Sequence, residues 1–199
     1  QQNGEWRDLG FPVDSVGPSW EISLSLYQGV LWAAWPSTSW SDGGRDMDLL
    51  EVWKQDGTEW EYVSTYPMDF PVHPQILAGS EGPKMVVGAS RMGTDDRSNR
   101  RIQVILPGVG WSELPLSSAL SGSLLRAERA SMSEVDGALN VAMIGEDESG
   151  NYLIHWHSGD LGKTWEDPFI LPDSFPILPH ITPQWYENTL WWAVQMGEQ

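Results

Sequence analysis

The chain has no cysteine among its 199 residues, so disulfides, thiolate metal sites and cysteine nucleophiles are excluded from any account of it. Basic side chains are scarce. Eleven Lys and Arg stand against 28 Asp and Glu, a formal charge of −17, which argues against nucleic acid and anionic membrane as general partners. No apolar run approaches the roughly 18–20 residues of a membrane span. The N-terminus lacks the basic-then-apolar order of a signal peptide; a start at Gln1-Gln2-Asn3-Gly4 suits a processed, exported chain, so a secreted, cell-surface or periplasmic location is the expectation. Amphipathic helical periodicity is missing, and the 20 Gly and 14 Pro are dispersed at turns rather than gathered in a linker. A single domain over residues 1–199 follows.

What is present is repetition. A tryptophan follows a glycine-containing turn four times, in Gly4-Glu5-Trp6, Gly57-Thr58-Glu59-Trp60, Gly110-Trp111 and Gly162-Lys163-Thr164-Trp165, at steps of 54, 51 and 54 residues. An independent series of apolar runs has the same period. Leu31, Met85, Leu139 and Leu190 mark equivalent places in it, 54, 54 and 51 residues apart. Two series in phase predict units of a little over fifty residues. Each unit reads as four short strands, because its runs are rich in β-branched and aromatic residues and end at Gly, Asn, Asp or Pro. In the first, strands over 19–26 and 30–35 flank a turn at Gln28-Gly29, a polar loop covers 41–45, and strands follow over 47–54 and 60–65. The fold class predicted is an all-β propeller of about four antiparallel blades, over 17–67, 68–120, 121–174, and 175–199 closed with 1–16. The last unit is short of one strand. The chain is therefore expected to be part of a larger propeller, a four-blade ring, or an assembly completed by another chain.

One turn carries a family resemblance. Ser158-Gly159-Asp160-Leu161-Gly162-Lys163-Thr164-Trp165 resembles a full Asp-box, S-x-D-x-G-x-T-W, the signature of the sialidase-like (BNR-repeat) β-propellers. Ser158 and Asp160 supply acceptors for the turn's backbone N–H groups, Gly162 a positive φ, and Trp165 an apolar wedge, with Thr164 completing the motif. The resemblance implies that this turn joins third and fourth strands on the face away from the active site, which makes Asp160 a turn former rather than a catalyst.

Functional residues are accordingly expected at the channel mouth. Aligned innermost strands put Glu21, Gln75, Arg129 and His180 there, again at steps of 54, 54 and 51, as a polar ring able to hold a polar ligand or water. Trp40, Arg45 and Asp46 add a ring beside charged groups, a mixture suited to sugars. Arg91 and Arg97, in the next equivalent stretch, suit a carboxylate or sulfate. His155 and His157 share one strand face, but no third ligand lies nearby, so no metal is expected; no cofactor is expected either. The sialidase catalytic set of arginines, a glutamate-activated tyrosine and an acid/base aspartate is not reproduced, and Tyr66 is the one tyrosine placed near the mouth. The reading is a non-catalytic module recognising glycan or a protein surface. Its alternative is an exo-acting glycoside hydrolase using carboxylates such as Asp46 and Glu21.

Overall fold

Two-residue turns at positive φ set the pairing of the chain. The computed structural model describes residues 22–41, 44–67, 69–79, 82–90, 100–106, 110–114, 126–147, 150–171, 184–186 and 189–191. Gln28-Gly29 (φ 51° and 83°) and Asp136-Gly137 (φ 50° and 79°) both adopt the left-handed conformation at both central residues. That geometry matches the right-handed twist of paired strands, so each turn closes a tight hairpin. Strands β1 (Ser23–Tyr27), β2 (Val30–Ser41), β3 (Gly44–Asp56) and β4 (Glu59–Pro67) form the first sheet. The second comprises β5 (Asp69–Gly79), β6 (Gly82–Ser90), β7 (Arg100–Leu106) and β8 (Gly110–Glu113). The third comprises β9 (Arg126–Val135), β10 (Ala138–Asp147), β11 (Gly150–Ser158) and β12 (Phe169–Leu171), and a hairpin of β13 (Gln184–Tyr186) and β14 (Thr189–Trp191) follows.

Each four-stranded sheet is an antiparallel meander in chain order, and the described residues contain no helix. The apolar runs of the 54-residue series are the second strands β2, β6, β10 and β14. In β6 the stretch is nearly continuously hydrophobic because both faces are covered: Met85 and Val87 point to the first sheet while Val86 points to the third. Packing runs from the first sheet onto β5, from the second onto β9, and from β9 onto β13. The chain is thus an all-β propeller whose sheets stack as successive blades.

Two apolar seams hold the blades. Ala34, Leu50 and Val52 meet Ile76, Met85, Val87 and Ile105 in the first, with Trp32 and Tyr66 packed against it. Val86, Ile102, Val104, Leu106 and Leu114 meet Met132, Leu139, Val141, Met143, Ile154 and Trp156 in the second. Each fully buried large side chain contributes roughly 1.5–3 kcal/mol, so these seams dominate cohesion. Tyr66, expected near the mouth, spends its ring on the first seam. Two members of the tryptophan series also pack inward: Trp60 lies against Trp35 and Trp53, and Trp165 against the second seam.

One element departs from expectation. The polar loop predicted over 41–45 is mostly ladder, since β2 runs to Ser41 and β3 starts at Gly44. Ladder hydrogen bonds satisfy the backbone beyond the apolar core, so polar side chains there do not end the strand.

Candidate functional site

The turn between β11 and β12 is built from side chains reaching backwards. Gly162 N–H donates to Ser158 Oγ at 2.7 Å, and the Ser158 hydroxyl donates to Asp160 Oδ1 at 2.8 Å. Thr164 N–H donates to Asp160 Oδ1 at 2.8 Å and the Thr164 hydroxyl to Asp160 Oδ2 at 2.7 Å. These bonds, led by the Thr164 backbone and hydroxyl, hold the Asp160 carboxyl down at about 2. Every acceptor of the group is turned on its own loop. Leu161 (φ 61°) and Gly162 (φ 92°) give the reversal, and a Cβ on Gly162 would stand 3.1 Å from Leu139 Cδ2 and 3.2 Å from Leu106 Cδ1.

At the opposite end of the sheets lie the β2–β3 and β10–β11 connections. Trp40 and Arg45 face each other in register across β2 and β3, one step before the chain turns. Ser39 pairs with Met47 and Trp40 with Arg45, so Asp46 is the extra residue of a β-bulge. Arg129 occupies a similar place in β9: Ala130 pairs with Met143 and Ala127 with Gly145, leaving Glu128 and Arg129 against one residue of β10. Gln75 directly follows the irregularity between Val72 and Gln75 in β5, where His73 takes φ 48°. Five of the residues singled out at the mouth, Trp40, Arg45, Asp46, Gln75 and Arg129, therefore sit in or beside bulges. Glu21, Arg91, Arg97 and His180 lie outside the described residues, as do the side chains of Trp40, Arg45, Asp46 and Arg129.

Gln75 has a job between blades. Met132 N–H of β9 donates to Gln75 Oε1 at 2.6 Å, and one blade earlier Ile76 N–H donates to Ser23 Oγ at 2.9 Å. Side chain to backbone clasps thus link innermost strands in succession.

Several polar groups were not singled out in the sequence because their partners are far along the chain or their burial is a tertiary property. Glu51, 3% exposed, accepts from Trp53 Nε1–H at 2.9 Å, and Trp53 stacks on Trp35 with centroids 6.0 Å apart. Their i, i+2 spacing in β3 was the available signal. Lys84 and Glu134 pair across the second seam at 2.8 Å. On the far face of the third sheet, His157 Nδ1 lies 3.1 Å from Glu166 Oε1, and His155 Nε2 lies 3.1 Å from Asn140 Oδ1. Because Oδ1 is an acceptor, this contact selects the His155 tautomer protonated at Nε2. Burial, and then the neighbouring His157, push the His155 pKa down, while Glu166 works against them. Among the described residues no group of three or more His, Asp or Glu is placed to hold a metal ion, and no helix is long and apolar enough to cross a membrane.

No family model and no curated protein matches the chain. Among solved structures it is similar to a chain described under the words "The GH130 family of mannoside phosphorylases contains glycoside hydrolases that target beta-1,2 mannosidic linkages in Candida mannan". Identity is 13%, the TM-score 0.43, and the likeness covers 78% of this chain. The chain spans about half the length of that structure, 49%.

Proposed function

We propose that this chain is a non-catalytic recognition module that binds glycan or a protein surface through the mouth end of its blades. The observation that carries the reading is the opposition of Trp40 and Arg45 at the tip of the β2–β3 hairpin, with Asp46 set out of register by a bulge. An indole stacks on the apolar face of a sugar while a guanidinium and a carboxylate serve its hydroxyls. Bulges re-aim side chains at functional edges, and the Arg129 and Gln75 positions share that irregularity. Glu21, Arg91, Arg97 and His180 complete the proposed site.

We read the chain as a sialidase-like, Asp-box propeller, a secreted or cell-surface acidic protein whose blades occupy 17–67, 68–120, 121–174, and 175–199 closed with 1–16. The closed bonding of Ser158, Asp160, Gly162 and Thr164 supports the Asp-box part of that reading. Leu24 and Leu26 on β1, with Tyr186 and Trp191 on the last hairpin, are exposed, which favours continuation of the array by further blades or by another chain.

A glycan array probed with the labelled protein tests the reading. Binding to a defined glycan, lost in Trp40→Ala and in Arg129→Ala, is the expected result; binding retained in both overturns the site. Turnover of a fluorogenic sialoside or other glycoside, abolished by Asp46→Asn, overturns the non-catalytic assignment in favour of an exo-acting glycosidase.

A further inference from the structure

The joint between the third blade and the last hairpin is closed over an imidazole. Ala142, fully buried, lies in register between Ser131 of β9 and His155 of β11, and Asn140, one rung along, lies between Ser133 and His157. Trp185 of β13 meets His155 with ring centroids 5.6 Å apart, and Leu190 of β14 packs, with Leu171, on Ile144 and Leu153. The two hairpin strands are three residues each, and Tyr186 and Trp191 are exposed, so little apolar surface holds the hairpin down. The apolar clusters of the first two seams are larger and contain no histidine.

We propose that this joint is an acid-released latch, in which protonation of His155 frees the β13–β14 hairpin from the third sheet while the first two seams stay shut. As a neutral ring His155 donates from Nε2 to Asn140 Oδ1, 3.1 Å away. A proton adds a donor at Nδ1, to which no acceptor is bonded among the described residues, and a charge that burial disfavours. The groups facing the ring give little relief. On its own strand His157 becomes a like charge when protonated, and the Glu166 carboxylate is already engaged 3.1 Å from His157 Nδ1. The other strands present uncharged groups: Asn140 from β10, Ser131 and Ser133 from β9, Phe169 from β12 and Trp185 from β13. Trp185 is tilted 53° to the imidazole rather than stacked on it, which weakens any cation–π attraction. Lifting the hairpin gives the charged ring to water, so the open form binds the proton more tightly than the closed one. The direction agrees with the His155 pKa, which the closed joint holds below 6.5. Closure is therefore fully favoured above 6.5 and weakens as pH falls toward the folded value.

Because the chain has no cysteine, one introduced thiol can report on one seam. Ala142→Cys places it in the joint and Ala34→Cys, equally buried, in the first seam. Modification by a disulfide reagent active in acid, each rate divided by that of the urea-unfolded chain at the same pH, reads opening apart from the thiol's own titration. Below 6.5 the Ala142→Cys rate should rise by up to about tenfold per pH unit until the folded pKa is reached, while Ala34→Cys stays protected. Adding His155→Gln, which keeps a donor for Asn140 and cannot take a charge, should abolish the rise. In the unsubstituted chain the buried Trp185 indole N–H should exchange with solvent along the same profile after correction for free indole, which repeats the test without a thiol. A flat profile in the thiol variant and the indole, or an equal rise with His155→Gln, overturns the proposal. A parallel rise in Ala34→Cys also overturns it, since the whole molecule would then be opening.

Discussion

Lys84 Nζ lies 2.8 Å from Glu134 Oε2, joining the second and third blades with the two side chains only 3% and 13% exposed. A charge pair this far from water gains little over a well-packed apolar pair, but either charge alone is costly. Glu134→Leu, which strands the ammonium, should therefore lower unfolding free energy by ~3–5 kcal/mol, while Lys84→Met together with Glu134→Leu should recover most of that loss. Denaturant titration of the parent, both single variants and the double variant measures the coupling. Additive losses in the double variant would contradict it.

Asp160 makes the β11–β12 turn a pH-dependent element. Its folded pKa of about 2 is below the ordinary 3.8, so its contribution is fully present above 3.8 and is lost as pH falls through 2. Asp160→Asn keeps the size and should lower the melting temperature at neutral pH, with the gap to the parent closing on acidification across that window. Gly162→Ala is the complementary change. It asks a side chain to adopt φ 92° and to press on Leu139 and Leu106, and should cost about 1–3 kcal/mol at every pH.

His155 loses stability in the same direction as the turn carboxylate, but because folding favours its neutral rather than its charged form. Its pKa is pushed below 6.5 by burial and by His157, with Glu166 opposing, so folding favours the neutral ring. The stability it contributes is present above 6.5 and is lost as pH falls toward the folded value. Thermal melts followed by near-ultraviolet circular dichroism should show the parent losing stability on acidification below 6.5, and His155→Gln losing less. A parallel decline in both proteins would show that another group is responsible.

These couplings show what was and was not legible in the sequence. The blade period and the second strands were visible because β6 and β10 are buried on both faces, and such strands print as unbroken runs such as Met85-Val86-Val87. The Ser158 to Thr164 turn was visible because its bonds close within seven residues. Lys84 with Glu134 and Gln75 with Met132 were not, since each pair is separated by a whole blade and meets only once neighbouring sheets are in phase. The ends of β2 and β3 look like a loop in the sequence for a different reason. Backbone pairing alone extends β2 and β3 past the core, and backbone pairing leaves no apolar pattern. The bulge that displaces Asp46 is equally silent in composition.

The inter-blade clasp offers the most direct measurement of the stacking on which every site assignment rests. Amide hydrogen exchange by nuclear magnetic resonance should find the Met132 amide strongly protected, because it donates to Gln75 Oε1 at 2.6 Å from the preceding blade. In Gln75→Ala that amide should exchange much faster, while the Ile76 amide, held by Ser23, keeps its rate. A Met132 amide that exchanges at the same rate in both proteins would mean that β5 and β9 are not neighbours, and the blade order would be wrong.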